Sequence, residues 1–174
     1  MIETPRKLKV TIFGGRHTGQ GPISRIWGRT DADVPSLQPV VIYERETEVN
    51  GQNAIVAAWV LSLDPEFDYM RPAMYLKSDA FIYTFDLQSQ PEKSLKYLNP
   101  FIEEVKETIG ELPPQCLVGT KLDPTLSRPE YVDQAVSDWM VEHGNMPYFE
   151  VDLTNPTEFT DLVEKIFERL LLML

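Results

Sequence analysis

The sequence holds one cysteine, Cys116, and two histidines, His17 and His143, among 174 residues. A single cysteine excludes an internal disulfide framework and fits a reducing compartment. One cysteine and two histidines do not make a zinc site, and no metal-ligand spacing occurs. There is no apolar run of about 18 residues, which excludes a membrane-spanning helix. The Met1–Pro5 start reads as neither a secretory signal nor a myristoylation site, and Leu171-Leu172-Met173-Leu174 carries no prenylatable cysteine. The expectation is therefore a cytoplasmic protein with no direct membrane anchor. Positive charge is scarce, with 16 Lys and Arg against 27 Asp and Glu and a net charge of −11. That balance argues against nucleic acid or anionic lipid as the main partner. No G-x-S-x-G and no Ser-His-Asp grouping marks a nucleophilic hydrolase.

What is present describes an ordinary globular chain: 43% hydrophobic and 25% charged. Its length suits one domain over 1–174 with a real core. The charge is uneven. Arg6, Lys7, Lys9, Arg16, Arg25 and Arg29 oppose only Glu3 in the first 29 residues. This reads as a solvated basic patch, or as a basic surface suited to phosphates or an acidic partner.

Strand and helix signals alternate along the chain. Leu8–Phe13, Val40–Val49, Ala54–Leu63, Ala80–Phe85, Gln115–Gly119 and Tyr148–Val151 read as strands. Asn50-Gly51 predicts a tight hairpin, because both residues tolerate positive φ. Ile23–Trp27, Pro91–Ile109, Pro129–His143 and Thr157 to the end read as helices, with Asp31–Pro39 a loop and Pro65–Lys77 irregular or helical. Pro100 is expected to kink or split the long helix, and Gly144 to end the next. Right-handed crossovers then predict a mostly parallel six-stranded α/β sheet with one antiparallel hairpin strand and about five helices on its two faces. Ligands of such sheets sit at the carboxyl ends of the strands. Gly14–Gly21, Asp86, Thr120–Asp123 and Asp152–Asn155 all fall there.

The first of these stretches, GGRHTGQGP at 14–22, has the Gly14-x-x-x-x-Gly19 spacing of a phosphate-binding loop. Gln20 and Gly21 stand where that motif continues with Lys and Ser or Thr. Thr120-Lys121-Leu122-Asp123 after the fifth strand has the form [NT]-K-x-D. Its aspartate can accept hydrogen bonds from guanine N1–H and the 2-amino group, a pattern adenine does not offer.

Together these residues resemble the Ras superfamily of small GTPases, most of all its Rab and Rho branches, over nearly the whole length. The resemblance implies a three-layer P-loop G-domain. It places nucleotide contacts at Gly14, Gly19, Thr120, Lys121 and Asp123, with Arg16 a candidate phosphate contact. Counted on the same frame, the first-switch Thr is Leu37, the D-x-x-G aspartate is Val60, its Gly is Leu63 and the water-positioning Gln is Asp64. The final S-A-K or S-A-L motif reads Asp152-Leu153-Thr154. The groups that would hold Mg²⁺ and γ-phosphate are gone. The leading expectation is a pseudo-GTPase: a protein-interaction module with weak or absent GDP or GTP binding, no Mg²⁺ and no catalytic residue. The switch-like segments Asp31–Pro39 and Asp64–Tyr75 would be held by side chains such as Leu37, Leu63 and Pro65. They would bind protein partners together with the β2–β3 edge. The alternative is a working GTP hydrolase that uses Arg16 and loop backbone in place of Lys and metal ligands.

Other features carry plainer readings. Asp64, Glu66 and Asp68 read as a solvated acidic loop rather than a cation site. Cys116 reads as a core thiol and His17 as a solvated loop residue. Trp27 and Trp139 read as core or half-buried residues, and Trp59 as core, half-buried or partner-facing. Leu170–Leu174 is apolar on all sides.

Overall fold

The computed structural model describes residues 4–30 and 37–174. In chain order the elements are β1 (Arg6–Gly14), α1 (Gln20–Gly28), β2 (Val40–Val49), β3 (Gln52–Leu61), a 3₁₀ turn (Pro65–Phe67), α2 (Arg71–Tyr75), β4 (Ala80–Asp86), α3 (Pro91–Ile109), β5 (Gln115–Lys121), α4 (Val132–His143), β6 (Tyr148–Asp152) and α5 (Pro156–Leu171). Among the described residues the strands form one six-stranded sheet, in the order β2-β3-β1-β4-β5-β6. Only β2 runs antiparallel to its neighbour. The expected α/β architecture is therefore the observed one. Most of the loop expected at 31–39 falls on 31–36, outside the described residues.

Both faces of β1 and β4 are covered, so burial is continuous from Val10 to Gly14 and from Ala80 to Phe85. Val10, Ile12 and Ile82 point to one face, where Ile23 and Trp27 of α1 meet Val163, Ile166 and Phe167 of α5. Phe13, Phe81, Tyr83 and Phe85 point to the other, against α2, α3 and α4. The Trp27 ring stacks on Phe167 at 4.2 Å, with the Arg45 guanidinium 3.9 Å from its other side. At the end of α5, Leu170 and Leu171 are buried, whereas Leu172 and Met173 are exposed.

Local signals decide several boundaries. Asn50 and Gly51 take φ of 52° and 77°, the two left-handed residues that close a hairpin in register with Val49 opposite Gln52. Pro100 does not split α3, which runs as one helix from Pro91 to Ile109. Pro100 and Lys96, four residues earlier, are both exposed. The helix bond that proline removes thus lies on the solvent side, while Leu95, Leu98, Ile102 and Val105 anchor the buried side. α1 starts at Gln20, earlier than Ile23, so the phosphate-type loop runs straight into a helix.

Candidate nucleotide-binding site

The loop between β1 and α1 is built on two close approaches. Gly14 ends β1 opposite Thr84 of β4. A Cβ there would lie 2.0 Å from Thr84 Oγ1 and 2.4 Å from Thr18 Oγ1. Gly19 has φ of 87°, and a Cβ there would meet Leu153 Cδ1 at 2.7 Å. Thr18, 2% exposed, sits at the centre. Its hydroxyl lies 2.8 Å from the Gly15 carbonyl, 2.7 Å from Thr84 Oγ1 and 3.0 Å from Gln20 Oε1. Gln20 folds back in the same way, and its Nε2 donates to the Gly15 carbonyl at 3.3 Å. Thr120, fully buried, donates to the Thr18 carbonyl at 2.8 Å. The loop is thus closed by neutral side chains of its own and tied to β4 and β5. The first turn of α1 has no acidic residue and no side-chain cap, so its N–H groups favour an anion, apart from Pro22, which has none.

Arg16 pairs with a carboxylate from outside the loop. Its side chain is 84% exposed and donates to Asp64 Oδ2 at 3.2 Å. Asp64 also accepts the Glu66 N–H at the start of the 3₁₀ turn. Arg16 and Asp64 line a cleft of about 660 Å³ that is also lined by Gln20, Leu37, Val60 and Leu63. Of the three apolar residues expected to hold the switch-like segments, Leu63 is buried, but Leu37 is 64% exposed and Pro65 is exposed too. Polar groups hold α2 instead. Arg71, 3% exposed, donates from Nε to Glu104 Oε1 at 3.0 Å and from its terminal nitrogen to Asp68 Oδ1 at 2.7 Å. Tyr75 donates to Glu104 Oε1 at 2.8 Å. Burial works against the Arg71 charge, yet the Asp68 and Glu104 carboxylates hold its pKa above the ordinary value. At the other end of α2, Lys9 Nζ donates to the Met74 and Leu76 carbonyls and sits 4.1 Å from the centre of the half-buried Trp59 ring. Burial lowers the Lys9 pKa, against an opposing pull from Asp79. The acidic cluster therefore divides: Asp64 to Arg16, Asp68 to Arg71, and Glu66 to solvent.

The structure brings Thr120, Lys121 and Asp123 to the same sheet end as the loop. Lys121 Nζ lies 3.5 Å from Asp152 Oδ2. Asp123 Oδ1 accepts from the Thr125 hydroxyl at 2.6 Å and the Thr125 N–H at 2.8 Å, which lowers its pKa. Bonds from Thr154 do the same for Asp152. The sequence reading missed Gln88, which is 6% exposed and sits under the 122–126 segment. It also missed Thr84 and Glu104. Each acts through a partner at least 29 residues away in sequence.

The sequence model of the Ras family matches residues 31–172. The chain belongs to the Ras family. The match covers Thr120–Asp123 and begins after the Gly-rich loop. The Rho-related GTP-binding protein RhoE of Homo sapiens is 29% identical over 122 residues, 67% of this chain and 48% of RhoE. The Ras-related protein Rab-9B of Mus musculus is 23% identical over 168 residues, 94% of this chain and 83% of Rab-9B. The chain spans about half the length of RhoE.

Within this Ras-family site the donor set can be weighed. Mg²⁺ takes oxygen ligands in near-octahedral geometry. Gly21, Leu37 and Val60, which the resemblance sets at the positions that would supply them, carry no side-chain oxygen. These three side chains therefore supply no ligand to the ion. Among the described residues no three His, Cys, Asp or Glu side chains converge on a metal position. Cys116 is buried, and burial pushes its thiol up to about 12, so it holds no thiolate at neutral pH. No described helix is long and apolar enough to cross a membrane.

Proposed function

We propose that residues 1–174 form one small-GTPase-like domain that works as a protein-binding module. It binds guanine nucleotide weakly and without metal, and it does not run a Mg²⁺-dependent hydrolytic switch. The observation that carries this reading is the position of Gln20. In place of a phosphate-neutralising lysine, a neutral amide is spent on the loop's own Gly15 carbonyl and Thr18 hydroxyl. Arg16, the one candidate replacement, is turned to Asp64 at the loop rim.

The fixed α2 supports the same reading. A γ-phosphate and its metal usually order this part of a small GTPase. Here Arg71, Tyr75, Glu104 and Lys9 supply the order from within. The partner surface is the side of the sheet where Ile42, 43% exposed on the edge strand β2, stands opposite Trp59. The exposed Leu76 at the end of α2, linked to Trp59 through Lys9, extends it.

Phosphate release from GTP with Mg²⁺ tests the proposal. The folded protein should release no more than a buffer control. Turnover that Arg16→Ala abolishes would replace this reading with a working GTP hydrolase.

A further inference from the structure

Gln88 lies in the connection between β4 and α3 and uses the whole bonding capacity of its amide. Nε2 donates to the Asp123 carbonyl at 2.6 Å and to the Leu126 carbonyl at 2.8 Å. Oε1 accepts the N–H groups of Leu122 at 2.8 Å and Asp123 at 3.0 Å. A primary amide has two N–H donors and two lone pairs, so all four are satisfied. One side chain therefore grips both backbone groups of Asp123 and the turn that follows it.

Gln88 is itself held. Asp86 Oδ1 accepts the Gln88 N–H at 2.8 Å, and Oδ2 accepts the Ser89 N–H at 3.1 Å. Ser94 Oγ accepts the Asp86 N–H at 2.9 Å. The next contact outward is the Asp123 carboxylate. Both Thr125 bonds fall on its Oδ1, which leaves Oδ2 as the oxygen to meet a ligand. With Oδ1 taken, two adjacent N–H groups must both meet the two lone pairs of Oδ2, so a shift of the Asp123 backbone exchanges two contacts for one.

We propose that Gln88 is the positioning residue for base selection. It touches no nucleotide, but it sets the backbone that aims Asp123 at a base edge with two neighbouring N–H donors, as in guanine. The proposal rests on the reading that this site binds guanine nucleotide weakly.

The test titrates GDP and ADP against the melting temperature of the wild-type protein, Gln88→Leu and Gln88→Asn. In parallel, hydrogen exchange is followed at the Leu122 and Asp123 amides. Gln88→Leu should lose the preference for GDP over ADP by about tenfold, the scale of a lost polar contact. Its Leu122 and Asp123 amides should exchange faster, while those of α5 do not change. Gln88→Asn keeps the amide one methylene shorter and should recover part of the preference. If Gln88→Leu does not fold, Gln88→Glu keeps the acceptor and sets a carboxylate against the Asp123 and Leu126 carbonyls, with the same expected loss. An unchanged preference in a folded variant overturns the role of Gln88 alone. A wild-type protein with no preference for GDP overturns the guanine reading as well, and it does so before any variant is made.

Discussion

Thr120 Oγ1 donates to the carbonyl of Thr18 at 2.8 Å, across 102 residues of sequence. Both residues are buried, and the bond joins the end of the guanine-type strand to the middle of the phosphate-type loop. The two halves of the site are thus one hydrogen-bonded unit. Thr120→Val keeps the shape and deletes the donor, leaving the Thr18 carbonyl without it. The loss should be about 1–3 kcal/mol of unfolding free energy. Denaturant unfolding reads it as a lower midpoint at unchanged slope; an unchanged midpoint would mean that the bond contributes nothing.

Gly19 offers a second probe of the loop. Its φ of 87° is left-handed, and any Cβ would press on Leu153 and Thr120. Gly19→Ala should cost at least about 1–2 kcal/mol from backbone conformation alone, with the clash adding to it. A melting temperature equal to that of the wild type would show that the loop relaxes freely.

The hold on α2 is testable from its partner on α3. Glu104→Ala leaves Arg71, 3% exposed, with Asp68 as its remaining carboxylate. Losing one of its two charged hydrogen bonds should cost about 1.5–3 kcal/mol. Amides of 71–76 should exchange faster, while β5 keeps its protection. Unchanged exchange across α2 would place its stability elsewhere.

His143 predicts a pH effect of defined sign. It packs against Trp139 with ring centres 4.4 Å apart, and burial, reinforced by Lys106, lowers its pKa against the opposing pulls of Glu142 and Glu103. The unfolded chain then binds the proton more readily than the folded one. The stability this neutral imidazole preserves is complete above the unfolded pKa of about 6.5. It is lost as pH falls from there through the lower folded value. Melting curves between pH 7.5 and 5 should fall less steeply for His143→Phe than for the wild type. Parallel curves would remove His143 as the cause.

The fold was legible because its signals are local. Asn50-Gly51 announced its hairpin, and the period of Leu95, Leu98, Ile102 and Val105 announced α3. The Thr120–Asp123 segment was legible from its position after a buried strand. What the chain does with Gln20 was not. A glutamine in the lysine position says that a charge is absent, but not that its amide turns back to Gly15. The sequence offers Arg16 as a candidate phosphate contact and carries no sign of Asp64 as its partner. Leu37 and Pro65 looked like apolar anchors by type, yet they lie exposed, while the charged Arg71 took the buried place. Such assignments depend on distant partners such as Glu104 and Thr84, which no local pattern encodes.

The most direct test of a metal-independent, non-switching site is a thermal titration of the wild-type protein. GDP and GTP are added separately, each with and without Mg²⁺. Both nucleotides should raise the melting temperature only at millimolar concentration, by the same small amount, and Mg²⁺ should not change it. A shift at micromolar GTP that needs Mg²⁺ and exceeds the shift with GDP would contradict this, and would restore a nucleotide-driven switch to the chain.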